Sequence, residues 1–323
     1  MNVVRIVVAA GGMLDSVSAF AFDVVVSQWG LGMYGAPFAV AKEKGFFKEQ
    51  GIDVTGFMGG AGGGTTLRNA LASPVPYGEV AVGAAVAAIQ HGVKLTLVNA
   101  GVISLADMLW ITRPDSPVNS IQDLKNRTIA YSNPKSVTDM VSILALEKTG
   151  IFDQVKRVAA GGLGAGLTAL KEGAVDATFV IEPIYGKERQ KGHVYKLAFS
   201  AESLVPRFTQ SVGVVRTDYL LEHQDQIKAL VAARCEGVKY IRSNPQESAD
   251  IFARAYKLDP SVSRSAIEHV LASKSPYWSL GGFDYEGMNT VLSAMRRVNA
   301  LEGDFEWSKV VDEHFLSADC NKR

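Results

Sequence analysis

Short β-branched runs alternate with glycine-rich turns and helical stretches over the first two-thirds of the chain, and this alternation most narrows the folds open to it. Asp23–Ser27, Ile52–Phe57, Glu79–Gly83, Val93–Asn99 and Met108–Arg113 read as strands. Pro37 opens a helix that stops at Gly45, Thr65-Thr66 begins a second, and Ala84–Gln90 forms a third of small residues. A second series with its own start follows: strands at Thr128–Tyr131, Lys156–Ala160 and Ala177–Ile181, and helices at Val137–Gly150 and Leu167–Glu172. Between them Ser120 and Asp123 form a capping-box variant. Strand–helix alternation of this kind predicts an α/β fold with a largely parallel sheet. From Tyr219 the pattern turns helical, with Gln224–Ser243, Pro245–Tyr256, Ser261–Leu271 and Tyr285–Leu301.

Length and charge limit the function classes. The 323 residues suggest about two domains. Lys+Arg and Asp+Glu both number 33, so no basic excess points to nucleic acid or an anionic membrane. The five histidines are scattered without a metal-ligand spacing, and Gly-x-Ser-x-Gly is absent. No metal, cofactor or catalytic group is expected. Cys235, in a helical stretch, and Cys320, near the chain end, could bridge, but nothing in the sequence requires it, and two separate thiols are the favoured reading. Ile6–Leu14 is a short apolar stretch after Arg5, and Ala19-Phe20-Ala21 supplies small residues for cleavage. Residues 1–21 are therefore expected to be an export signal.

In parallel α/β sheets, ligands sit beyond the carboxyl ends of the strands. Five such junctions have suggestive composition: Gln28–Gly35, Gly59–Thr66, Gly83–Ala85, Ser132–Thr138 and Glu182–Tyr185. Glycines admit close backbone approach, and free N–H groups at helix starts favour polar or anionic groups. Thr65, Thr66, Ser136 and Thr138 offer hydroxyls, while Trp29 and Tyr34 offer aromatic faces. Lys135 lies within the Ser132–Thr138 loop, and Arg68 follows the Thr65-Thr66 pair by two residues. Any one junction also suits a purely structural turn; a pocket needs several to converge. Gly164-Ala165-Gly166-Leu167-Thr168-Ala169 fits a loose dinucleotide fingerprint but lies deep in the chain without an acidic ribose partner, which favours a plain turn.

The run Ala41-Lys42-Glu43-Lys44-Gly45-Phe46-Phe47, continued by Gly51-Ile52-Asp53-Val54, carries a resemblance. Further matches are Ile121–Thr128, Ala169–Ala177 and Glu182-Pro183. The chain resembles the substrate-binding proteins of sulfonate-, nitrate- and taurine-type ABC importers, which share a family with thiamine-precursor-binding proteins. The resemblance implies a type II periplasmic binding protein fold: two α/β lobes, a central cleft and two crossover strands. It places lobe one at residues 22–112 and 215–323 and lobe two at 113–214. It implies a periplasmic, monomeric protein that captures a small organic solute by lobe closure and hands it to a permease. A sulfonate, an aromatic or other carboxylate and a pyrimidine-like solute all fit. Ligand-binding positions implied by it are Gln28, Trp29, Tyr34, Gly64, Thr65, Thr66, Ala84, Ser132, Ser136, Thr138 and Glu182. The stretch Ser73–Gly78 departs from the family pattern, with Glu79 in the acidic place. The competing readings are an enzyme on the same fold, such as a lyase or pyrimidine synthase, and a ligand-sensing module.

Overall fold

The computed structural model describes residues 21–60 and 62–323. The expected export signal lies outside these residues, except for Ala21. The chain begins with β1 (Ala21–Val26), α1 (Ala36–Glu43), α2 (Phe46–Glu49), β2 (Asp53–Met58), α3 (Gly63–Ala72), β3 (Tyr77–Ala81), α4 (Val82–Gln90) and β4 (Leu95–Ala100). A first crossing, residues 101–107, leads to β5 (Met108–Thr112), β6 (Thr128–Tyr131), α5 (Val137–Lys148), β7 (Lys156–Ala159), α6 (Leu163–Lys171), β8 (Thr178–Ile181), α7 (Ile184–Gln190) and β9 (Lys196–Ser200). A second crossing, residues 201–210, carries α8 (Ala201–Leu204). It returns the chain to β10 (Ser211–Arg216), α9 (Thr217–Glu222), α10 (Gln224–Ser243), α11 (Pro245–Tyr256), α12 (Pro260–Leu271) and α13 (Tyr285–Arg297).

Local chemistry sets the element ends. Pro37 sits in the first turn of α1, where its missing N–H costs nothing. Gly45, at φ 82°, turns the chain from α1 into α2. Ser120 and Asp123 close the expected capping box. Pro245 and Pro260 open α11 and α12, the latter behind Asp259, whose side chain accepts from the Ser261 N–H.

Five strands form the first sheet in the order β2-β1-β3-β10-β4. The second half has a three-stranded sheet, β8-β5-β9, and a parallel pair, β6-β7, joined to it through the Ile129–Ala177 bridge. The expected largely parallel sheet needs correction. β10 runs antiparallel to both its neighbours, and so does β5. Each is the first strand after a crossing, so it enters from the other sheet and not through a strand–helix–strand unit of its own sheet, the unit that makes neighbours parallel. Pairing also moves the expected lobe edges. Met108–Thr112, assigned from sequence to lobe one, pairs with β8 and β9, and the edge at 214/215 cuts through β10, one strand of the first sheet.

Three apolar clusters fill the interior. One lies beneath β1, α1, α10, α11 and α12, including Val24, Phe38, Ile227, Phe252 and Ile267. A second runs through both sheets by way of α13, from Val80 and Leu97 to Trp110 and Phe179. A third, smaller cluster lies wholly in the second half, around Leu109, Leu170 and Val180. The cysteine reading is overturned: Cys235 of α10 and Cys320 form a disulfide, with Cα atoms 5.9 Å apart. The chain end doubles back over Gly281 and Gly282, a return between distant segments with no local sequence signal.

α1 crosses α10 where Gly237 meets the Pro37 carbonyl; a Cβ there would stand 2.2 Å from that oxygen. Gly237→Ala should therefore destabilise the protein despite its gain in helix propensity. Overpacking costs about 1–3 kcal/mol against a propensity gain of about 0.5–1 kcal/mol. Urea unfolding checks this, and an unchanged or higher midpoint would show that the crossing relaxes freely.

Candidate functional site

The strand ends of both sheets carry the candidate residues, and contacts link them into one ring. After β1 the chain turns sharply. Gln28 sits at φ 57°, and its carbonyl accepts from the Leu31 and Gly32 N–H groups, both at 2.9 Å. Trp29 is half-buried, 4.4 Å from the Phe57 ring and 4.8 Å from Tyr256 between centroids. The loop after β2 presses on it: a Cβ on Gly59 would lie 3.2 Å from the Trp29 backbone nitrogen. The start of α3 packs against α4, with Gly63 facing Ala84 and Ala81. Gly83, beside Ala84, faces Met140 of α5 in the other half, and Gly32 faces Ile181 at the end of β8. The β1, β2, β3, β6 and β8 junctions are thus neighbours in space.

Polar groups on the two sides differ. On the first-sheet side Thr65 is half-buried and its Oγ1 accepts from Arg68 at 2.9 Å. Thr66 is buried and donates back to the Gly62 carbonyl at 3.0 Å, which makes it a helix-start residue. Gly64 is exposed beside them. On the second-sheet side three hydroxyls cluster at the start of α5. Ser132 Oγ lies 2.9 Å from Ser136 Oγ and 2.7 Å from Thr138 Oγ1, which are 3.0 Å apart. Ser136 also caps α5 by accepting the Asp139 N–H, and Thr138 accepts the Ser132 N–H. Hydroxyl protons rotate freely, so this triangle can turn a donor or a lone pair outward without moving heavy atoms. Ser132 and Ser136 are half-buried and accessible; Thr138 is buried behind them.

Tyr34 and Glu182 hold different positions from those expected. Tyr34 is buried, and its hydroxyl donates to Gln210 Oε1 at 2.6 Å. Gln210, on the second crossing, donates in turn to the Ser104 carbonyl at 2.7 Å and to Asp107 Oδ1 at 2.9 Å, both on the first crossing. Tyr34 therefore anchors the two crossings instead of offering a ring to a ligand. Glu182 follows β8 at a cis peptide to Pro183 and is also buried. Its carboxylate accepts the Gly186 N–H at 3.2 Å and lies 3.8 Å from Arg189, so it caps α7. Its own N–H bonds the Asp107 carbonyl.

Burial dominates the electrostatics of this seam. Loss of hydration raises the Asp107 carboxyl to about 6, opposed by hydrogen bonding from Gln210 and reinforced by the charge of Glu182. Glu182 is raised for the same reason, less so because Gly186, His269 and Arg189 favour its charge. Burial and then Asp107 push the Tyr34 and Tyr277 phenols well above their usual range, so both stay protonated. The Tyr277 hydroxyl lies beside the free oxygen of Asp107, outside hydrogen-bonding geometry. Asp107, Gln210 and Tyr277 were missed in the sequence because single polar residues beside apolar runs carry no periodic or motif signal.

With the geometry in place, comparisons fix the lineage. A profile of the family described as NMT1/THI5 like matches residues 33–248. The chain belongs to the NMT1/THI5-like family. A Brucella abortus (strain 2308) relative, provisionally named a binding protein, is 24% identical over 223 residues, 68% of this chain and 67% of its own. Among solved structures, the alkanesulfonate-binding protein SsuA from Xanthomonas axonopodis pv. citri, bound to MOPS, matches with a TM-score of 0.72 at 14% identity, over 91% of this chain and 98% of its own. The periplasmic nitrate-binding protein NrtA from Synechocystis PCC 6803 gives 0.72 at 15%, over 92% and 87%. The desulfurization enzyme DszB gives 0.67 at 14%, over 91% and 97%. This NMT1/THI5-like chain therefore has the type II periplasmic binding protein fold, which carries binding proteins and at least one enzyme.

Asp107 supplies a pH test. Its folded pKa lies above the ordinary carboxyl value of 3.8, so folding favours the protonated form. That contribution is fully present below about pH 4 and is lost as pH rises through about 6, a difference of up to about 3 kcal/mol. Relative to the native protein, Asp107→Asn should gain stability between pH 4 and 7 and hold that gain above it. Urea unfolding across this range measures the difference, and a pH-independent difference would remove Asp107 as the titrating group.

Proposed function

We propose that the protein is the solute-binding component of an ABC importer, closing two lobes on a small organic molecule and presenting it to a permease. The observation that supports this reading is that strand-end junctions of the two sheets neighbour one another, Gly83 facing Met140 and Gly32 facing Ile181, with the Ser132, Ser136 and Thr138 hydroxyls clustered on the second-sheet side. In this reading lobe one is residues 22–100 with 211–323, and lobe two is 108–200. The ligand positions are Gln28, Trp29, Gly64, Thr65, Ala84, Ser132 and Ser136, with Thr66 and Thr138 behind them.

The ring is rich in neutral donors and holds no lysine or arginine among these positions. Arg68 is held by Thr65, and Lys135 is exposed. Neutral donors suit a monoanionic or uncharged polar head better than a multiply charged anion. Trp29 offers an apolar face to the organic portion. The buried Cys235–Cys320 disulfide supports an oxidising compartment, which agrees with a periplasmic location. No described helix is long and apolar enough to cross a membrane. The two carboxyls raised by burial are both engaged within the protein, Asp107 by Gln210 and Glu182 by the Gly186 N–H, which favours binding over catalysis.

Native mass spectrometry of protein purified from its own host tests for a co-purifying solute. Calorimetry with ethanesulfonate, benzoate and a hydroxymethylpyrimidine then ranks the classes. Ser136→Ala should weaken binding of whichever solute is found by about 5- to 30-fold, the loss of one buried hydrogen bond worth about 1–2 kcal/mol. Trp29→Ala should weaken it by a similar amount. Unchanged affinity in both variants would remove the ring as the site, and turnover of the bound solute would replace the transport reading with an enzymatic one.

A further inference from the structure

Two seams join the halves, and they are built differently. On one side α13 lies between α4 and α5. A Cβ on Gly83 of α4 would stand 3.5 Å from Met140 of α5 and 3.7 Å from Met295 of α13. Arg297 of α13 pairs with Glu147 of α5. Met140, Val141, Val291, Leu292 and Met295 are all buried in the cluster that runs into both sheets. The root of α13 is tied to the second crossing, through Gly287 against Thr209 and Arg207 with Asp284.

On the other side α12 meets α7, and the contact is thin. Val262 stands against Gly186, where a Cβ would lie 3.1 Å from Val262 Cγ1. Arg189 reaches Ser265 at 3.4 Å. Nearer the crossings His269 bonds the Ala106 carbonyl at 3.0 Å, and Ser273 donates to Glu202 at 2.5 Å. Val262 belongs to none of the three apolar clusters. The cluster that buries Ile267 and Val270 of the same helix contains no residue of the second sheet.

We infer that the lobes open at the α12–α7 seam and stay packed along α13, which serves as the axle of the motion. Separating α13 from α5 exposes several fully buried apolar side chains, at a cost that grows with the area exposed. Separating α12 from α7 uncovers the Gly186–Val262 contact, which lies outside the apolar clusters, and exchanges the long Arg189–Ser265 contact for water, which replaces it almost in full. The opening of lowest cost is therefore a rotation about the α13 side, with the mouth at Gly186 and Val262. This rests on the lobe-closure reading above and adds its direction.

Spin-label distances in the unliganded protein test it, with the native disulfide intact. One cysteine pair, Gln190→Cys with Arg264→Cys, spans the α12–α7 seam, and a second, Lys148→Cys with Ser293→Cys, spans α13–α5; all four positions are exposed. Gly186→Ala adds a methyl group that presses on Val262 across the seam. It should at least triple the long-distance population of the 190/264 pair and leave the 148/293 pair unmoved. The double variant Gly186→Ala with Val262→Ala should restore the native distribution. Arg189→Ala, which keeps Gly186, should shift it in the same direction as Gly186→Ala. A lengthened 148/293 pair, or a 190/264 pair that ignores both Gly186→Ala and Arg189→Ala, overturns the inference. Because no solute is present, failure of the transport reading would leave these distances unchanged, and the two ideas fail separately.

Discussion

Gln210 holds together the only two described chain segments that pass between the sheets. Its side chain bonds Tyr34, the Ser104 carbonyl and Asp107, while its backbone N–H bonds the Val102 carbonyl and its carbonyl accepts the Val82 N–H. A buried amide has few ways to satisfy its groups, and leaving one unmade costs about 1–3 kcal/mol. That requirement fixes the spacing of the crossings, and the spacing fixes how the two sets of strand ends face one another. A second buried contact braces the same place from below. Glu79 and Arg234, both without solvent exposure, pair at 2.6 Å. Ser211 donates to Glu79 and accepts from the Val102 N–H, and Arg234 donates to the Ser279 carbonyl. Such a pair contributes little net stability against an apolar substitute, but removing one partner strands a buried charge at about 3–5 kcal/mol. Its effect is to specify geometry, since few other arrangements make the Glu79, Ser211 and Ser279 contacts of this pair at once.

The division of labour around the cleft follows from this base. Residues at the foot of the junctions, Tyr34 and Glu182, are consumed by the hinge and by the α7 cap. Residues such as Ser132, Ser136 and Thr65 are only half-buried and keep rotatable hydroxyls. A group cannot be fully satisfied inside the protein and also answer to a solute, so burial separates scaffold from site along a single loop. Trp29 occupies the boundary: it packs on Phe57 and Tyr256 yet keeps part of its surface free.

This boundary also marks how far the sequence can be read. Strand and helix positions were legible because they rest on local periodicity, and the helical end of the chain was read almost to the residue in α10 and α11. The junctions were legible because strand-end chemistry in α/β folds is local too. What escaped was long-range. The antiparallel sense of β5 and β10, the Cys235–Cys320 bond and the Tyr34–Gln210 contact join residues whose separation in sequence carries no pattern. Tyr34 and Glu182 are ligand positions by the resemblance, and a residue's place in a motif does not tell whether its hydroxyl or carboxylate is engaged inside the protein, as both are here.

A titratable carboxyl where the two crossings meet affects how firmly they are joined. Asp107 and Glu182 meet through the Glu182 N–H to Asp107 carbonyl bond, and the Glu182 charge adds to the cost of charging Asp107 in surroundings that water scarcely reaches. Ionised Asp107 accepts from Gln210 more strongly than the protonated form, because a charged acceptor strengthens the bond. Ionisation therefore tightens the link between the crossings while lowering overall stability. The two effects have opposite sign because they act on different quantities: one is the stiffness of a contact, the other the hydration lost to make it. A hinge built this way gains a fixed spacing at the expense of some global stability, which the apolar clusters on either side and the disulfide to the chain end offset.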